Sequence, residues 1–212
     1  MYDTALEMAK RLLVDSIWKS ANLEGLGTTF PKTEAILSNA PTKTTTEEVL
    51  FIVNMKRAWQ FLLDNLDYPN NLMFLRQINK LAGEGLFHTN GEVRTLPVSI
   101  GGTSWTPEIP NSAAVMEDIE KINAIENTEL RALKFFCFAA RTQIFLDGNK
   151  RVAQLIANKI LISENIGIFQ IALEDWEEFK TLLLAFYETG KDDALIDFML
   201  KHCIKYVPKE NT

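Results

Sequence analysis

Gln143-Ile144-Phe145-Leu146-Asp147-Gly148-Asn149-Lys150-Arg151 is the stretch around which the chain is ordered. An apolar helical run, Leu130 through Phe138, leads into it, and a second, Val152 through Ile162, leads away. Between them lies a polar turn, Asp147-Gly148-Asn149. Gly148 takes a positive φ at no steric cost, and Asn149 tolerates one better than most residues. The turn therefore delivers the chain into a helix that begins with Asn149, Lys150 and Arg151. The first turn of a helix has free N–H groups and a positive dipole end, so it receives anions readily. Arg151 adds a guanidinium that matches phosphate geometry. Asp147 adds a hard oxygen ligand beside that anion, which is what a Mg²⁺–phosphate pair needs. On spacing alone a second reading stays open, in which Asp147 is only a cap and Arg151 lies on a solvated face.

The composition is that of a globular protein. Of 212 residues, 47% are hydrophobic and 24% charged, which predicts one large domain, or one domain with small extensions, and an ample core. The net charge of -6 argues against a nucleic-acid backbone as partner. The two cysteines, Cys137 and Cys203, sit among apolar residues and read as reduced core positions, not a disulfide or zinc framework. The N-terminus is amphipathic and carries Asp3 and Glu7, unlike a secretory signal. No apolar run is long enough to span a bilayer, so no membrane association and a cytoplasmic location are expected.

Helical spacing starts at Ala5, is expected to continue through Glu24, and stops at Gly25, a natural residue just past a helix end. The segment 25–46 reads as loop with one short helix, Lys32 to Leu37. Thr44-Thr45-Thr46-Glu47-Glu48 opens a helix running to about Leu66, and another spans about Leu72 to Leu81. From Leu96 to Pro107 the pattern alternates and breaks at Gly101-Gly102, which predicts a short β-hairpin. Helices are then expected at about 112–125, 128–143, 150–163, 175–187 and 192–206. These segments define an all-α domain with one small hairpin.

The central stretch resembles the Fic (Fido) family, whose motif reads His-x-Phe-x-Asp/Glu-Gly-Asn-Gly/Lys-Arg-x-x-Arg. Phe145, Asp147, Gly148, Asn149, Lys150 and Arg151 fall in register with it. Ser20-Ala21-Asn22-Leu23-Glu24-Gly25 resembles the inhibitory segment upstream of many Fic cores. Gly91-Glu92-Val93-Arg94 and Val98-Ser99-Ile100-Gly101-Gly102 resemble the approach to the family's flap and the flap itself. The resemblance implies the Fic helical fold with a hairpin flap. It divides the chain into an inhibitory-type helix and linker (1–46), a Fic core (47–207) and a tail (208–212). It also implies AMP transfer from ATP to a Ser, Thr or Tyr hydroxyl of a target protein. In that picture Asp147 holds Mg²⁺, and Gly148, Asn149, Lys150 and Arg151 surround the phosphates. Ile100, Gly101 and Gly102 pair with an extended target segment. Glu24, with Ser20, intrudes on the nucleotide for autoinhibition. Self-association is left open.

Two positions depart from the motif. Gln143 stands where the family has the His that takes the proton from the target hydroxyl, and Gln154 stands at the second Arg. An amide cannot accept that proton near neutral pH. Losing a positioned base costs about 10²–10⁴ in rate. His88 and His202 are remote in sequence and read as surface or packing residues. The expectation is therefore an impaired adenylyltransferase. A nucleotide- or target-binding pseudoenzyme is one alternative. A Doc-like phosphotransferase, suggested by Lys150, is the other.

Overall fold

A computed structural model describes residues 4–208, so the last four residues of the expected tail lie outside the described residues. The N-terminal helix is capped by a reciprocal Thr4–Glu7 box. It is interrupted once, giving α1 (Ala5–Arg11) and α2 (Leu13–Leu23) where one helix was expected. Hydrogen bonds from Leu12 N to Met8 O and from Ser16 N to Leu12 O bridge the break, so it is a local kink. After α3 (Phe30–Leu37), a second box, Thr45 with Glu48, starts α4 (Thr46–Asp64), as the Thr-Thr-Thr-Glu-Glu run predicts. Asn side chains cap α5 (Leu72–Gly83), α6 (Ser112–Asn123) and α7 (Thr128–Thr142).

The helix after the central turn, α8 (Asn149–Ser163), is the axis of the molecule. Twelve of its fifteen residues are buried, so it is enclosed on every side. It packs against α7 along its length and also meets α1, α4 and α5. Then come β1 (Gly167–Phe169), α9 (Trp176–Thr189), α10 (Asp193–His202) and β2 (Ile204–Tyr206). Among the described residues no helix is long and apolar enough to cross a membrane.

The all-helical fold with one small two-stranded sheet is as expected, but the strands lie elsewhere. The segment from Leu96 to Pro107 forms no strand: it carries Pro97 and Pro107 and has no strand beside it. The sheet instead pairs β1 and β2 antiparallel, with Gly167 opposite Tyr206 and Phe169 opposite Ile204. Asn158 of α8 fixes β1, donating to Phe169 O at 2.9 Å and accepting from Phe169 N at 2.8 Å. Gly167 is required by the close approach, because a Cβ there would stand 2.1 Å from Lys205 O. The last helix therefore ends at His202, and the following residues add to β1 rather than extending to Tyr206 as helix.

One charge is built into the centre. Lys159 of α8 is 2% exposed and donates to Leu66 O at 3.0 Å, Tyr68 O at 2.6 Å and Asn70 Oδ1 at 2.8 Å. It ties α8 to the α4–α5 connection. Lys159→Met would strand those three acceptors and should cost ~1–3 kcal/mol in urea unfolding at pH 7. Burial pushes the ammonium down to about 8 from an ordinary 10.5. Between those values the unfolded chain binds more protons than the folded one, so the parent's stability should rise with pH across that window. The Lys159→Met variant should lack that rise.

Candidate active site

The turn at the head of α8 is braced from within. Gln143 ends α7 in the left-handed region, at φ 50 and ψ 58. Asn149, at the start of α8, accepts from Phe145 N at 2.9 Å and donates to Phe145 O at 2.8 Å and to Gln143 Oε1 at 3.0 Å. The Asn149 amide is therefore spent on shaping the loop, and what it offers an anion is its backbone N–H. Gly148 precedes the helix at φ 79 and supplies no side-chain cap, so the first N–H groups of α8 face outward uncapped.

Two buried residues brace the loop from outside. Asn79 of α5 donates to Asp147 O at 2.8 Å and accepts from Gly91 N at 2.7 Å. Arg94, 2% exposed, donates from Nε to Gln143 O at 2.6 Å, from Nη1 to Leu96 O at 2.8 Å and from Nη2 to Pro107 O and Glu108 O. Burial holds its pKa below the usual value. One guanidinium thus joins both ends of the 96–107 segment to the central loop. Neither role was legible in the sequence, because each depends on groups far away along the chain.

Arg151 is buried at 4% exposure between the rings of Phe51 and Phe87. It donates to Asp147 Oδ1 at 3.1 Å and to Ala82 O at 3.2 Å, and its Nε is buried without a partner. A buried unsatisfied guanidinium N–H at an open helix N-terminus is matched to an anionic ligand. Asp147 itself is exposed, with Oδ1 also accepting from Gly148 N.

The loop opens onto a cavity of about 400 Å³. Gln143, Asp147, Gly148, Asn149 and Lys150 form its floor, and Ile100 and Gly101 form its roof. Its far wall is α9, which presents Trp176, Lys180, Leu183, Leu184 and Tyr187, all on one helical face. Burial, and then the charge of Glu24, push the Tyr187 phenol up. Gly102 lies just outside, where a Cβ would meet Leu184 at 3.3 Å. Sequence reading missed the α9 wall. Its only signal is a helical stripe, which every packed helix shows.

Glu24 lines this cavity and also an adjoining one of about 380 Å³ that reaches Arg151. It is held there by its loop: Trp18 Nε1 and Asn22 Nδ2 both donate to Thr28 O. Its carboxylate lies 3.4 Å from Lys150 Nζ. Gln154, at the motif's second Arg position, lines a separate small cavity with Ser20, whose Oγ is buried without a partner. His88 and His202 are exposed and line none of these cavities.

A magnesium ion fits only as part of a nucleotide complex. Among the described residues no group of three or more His, Cys, Asp or Glu is placed to hold a metal. Asp147 would give one carboxylate, with phosphates and water completing the shell, as Mg²⁺ prefers.

The site is thus an uncapped helix N-terminus beside a buried arginine, set in a helical fold. Residues 69–161, from α5 through most of α8, match the family model described as Fic/DOC family. Three solved structures share the fold. Fic-1 from C. elegans superposes with a TM-score of 0.77 at 20% identity, covering 92% of this chain and 61% of that one. A Fic domain containing signaling protein from Bacteroides thetaiotaomicron gives 0.73 at 19% identity, covering 92% and 83%. A Fic family protein from Desulfovibrio desulfuricans gives 0.74 at 16% identity, covering 91% and 62%. This chain thus spans about three fifths of the C. elegans and Desulfovibrio chains. No curated protein matches it.

Gly148 is the position where the turn tolerates least. Its φ is +79, and a Cβ would stand 2.9 Å from Asn79 Nδ2 and 3.3 Å from the Phe87 ring. Gly148→Ala should lower stability by ~1–3 kcal/mol in thermal unfolding. Gly101→Ala, whose Cβ meets nothing within 4 Å, should stay within about 0.5 kcal/mol of the parent.

Proposed function

We propose that the chain is a Fic-type protein that binds Mg-ATP and transfers AMP to a Ser, Thr or Tyr hydroxyl of a target protein, slowly because Gln143 replaces the base. The observation that carries this reading is the unpartnered buried Nε of Arg151 beside the uncapped start of α8. Phosphates lie over the N–H groups of Asn149 and Lys150, beside Gly148, and against Arg151. The apolar half of the cavity, between Ile100 and the α9 leucines, takes the base. Asp147 would hold a Mg²⁺ ion brought in with the nucleotide, which would supply neutralisation of phosphate charge.

In the reaction the target oxygen attacks the α-phosphorus, the bond to the β-phosphate oxygen breaks, and pyrophosphate leaves. The hydroxyl proton needs an acceptor. Gln143 offers none: its Nε2 donates to Ala140 O at 2.6 Å, and its Oε1 already accepts from Asn149. An amide oxygen is also far too weakly basic. Gln143→His should raise transfer from α-labelled ATP to protein by about 10²–10⁴ while leaving Mg-ATP affinity near the parent's. Transfer of γ-label instead would favour the Doc-like phosphotransferase. A Gln143→His variant that binds Mg-ATP and transfers neither label would favour the pseudoenzyme, the reading to which the engaged Gln143 amide already lends weight.

Glu24 gives the site its restraint. It sits between the two cavities, where a terminal phosphate would extend, and it holds Lys150. With Gln154 turned elsewhere, a single lysine at 3.4 Å replaces the arginine partner the motif would supply, so the hold is weak. Removing the carboxylate frees Lys150 and relieves repulsion of phosphate. Glu24→Gly should tighten Mg-ATP binding in calorimetry by about 1 kcal/mol, roughly fivefold. An unchanged affinity would leave Glu24 a cavity-wall residue without a regulatory role.

A further inference from the structure

The segment 94–108 is held at three places. Arg94 fixes its two ends. Arg141 stacks over the Trp105 ring at 3.9 Å. The tip is held by a residue outside the cavity, Glu188, near the C-terminal end of α9. Its carboxylate accepts from Thr103 Oγ1 at 2.6 Å, from Ser104 Oγ at 2.8 Å and from Ser104 N. These bonds, that from Thr103 foremost, hold the Glu188 carboxyl below its ordinary range.

Between the clamps, the backbone of 97–100 pairs with no strand among the described residues, and the chain then turns at Gly101-Gly102, with Gly102 at φ +85. Its side chains nonetheless alternate as in an edge strand: Val98 and Ile100 are half-buried, while Pro97, Ser99 and Gly101 are exposed. An unpaired segment does not hold its shape unaided, so the clamps supply the order. Of the three, Glu188 alone is free of other tasks. Arg94 also braces the central loop, and Arg141 also donates to Tyr187 O.

We propose that Glu188 is a positioning residue that latches the turn after the 97–100 edge to α9 and keeps that edge open and in register for an extended acceptor polypeptide. This rests on reading the adjoining cavity as the nucleotide site. Glu188 follows Tyr187, a wall of that cavity, so the same turn of α9 sets the wall and the latch. A preformed edge saves the ordering entropy an incoming strand would otherwise have to meet. The latch bears first on acceptor binding, since Glu188 does not line the cavity; nucleotide binding feels it less, only through the Ile100 and Gly101 roof.

Hydrogen exchange by mass spectrometry on the full chain tests the latch directly. Glu188→Ala should speed exchange of the Ser104 amide, the backbone N–H that the carboxylate holds, about tenfold, with the melting temperature unchanged, because opening is local. Glu188→Gln should fall between parent and Ala, since its oxygen still accepts from Thr103 and Ser104 N while its amide donates to Ser104 Oγ. In the Gln143→His background, with dephosphorylated casein as the extended acceptor, Glu188→Ala should raise KM for casein about tenfold and KM for ATP by clearly less, about twofold at most. Unchanged exchange in Glu188→Ala, or an equal loss of affinity for ATP, would overturn the proposal. A parent that binds no Mg-ATP would instead sink the nucleotide reading, and the exchange rates would still decide the latch.

Discussion

The carboxamide of Asn149 is the small interaction on which the site depends. It closes on both backbone groups of Phe145 and on the Gln143 amide, so the loop between α7 and α8 has one shape. A loop of that length could adopt many conformations, and ordering each residue costs about 1–2 kcal/mol. Here the cost is met locally by bonds inside the loop and by Asn79 and Arg94 at its back. The result is a helix N-terminus presented to a cavity with its donors unused. An anion site made this way needs little from the side chains that face it.

The molecule places three cations where water hardly reaches: Arg94, Arg151 and Lys159 are each 4% exposed or less. Arg94 and Lys159 are satisfied chiefly by backbone carbonyls of loops, which acquire fixed positions in return. Buried charge of this kind does more for specificity of arrangement than for raw stability. Arg151 differs. Its neighbours leave one N–H unmet, as happens at four other buried polar atoms among the described residues, but only that of Arg151 belongs to a cation at the head of α8.

The 96–107 segment and Glu24 line the same cavity, and each is held by contacts outside it. The loop of Glu24 is tied by Trp18 and Asn22 on α2, and the 96–107 segment is tied by Arg94 and α9. The cavity therefore has a floor built on two packed helices and walls carried by loops.

By itself the sequence determined whatever rests on short-range rules. The Thr45–Glu48 box, the glycine before α8, the order of helices and the apolar faces of α7 and α8 follow from spacing of four residues or fewer. So did the register of Asp147, Gly148 and Arg151 around a helix start. Tertiary structure decided the pairings across long separations. Ile204 to Tyr206 became a strand because β1 offers an edge 37 residues away, opposite Gly167 to Phe169, whereas the alternating 96–107 segment found no such edge. Glu24 met Lys150 rather than Gln154 because both α8 residues were available in sequence and only packing set which one faced the loop. Caps and periodicity are decided within one turn of chain. Partners in space are decided by how whole helices pack, and no local pattern carries that information.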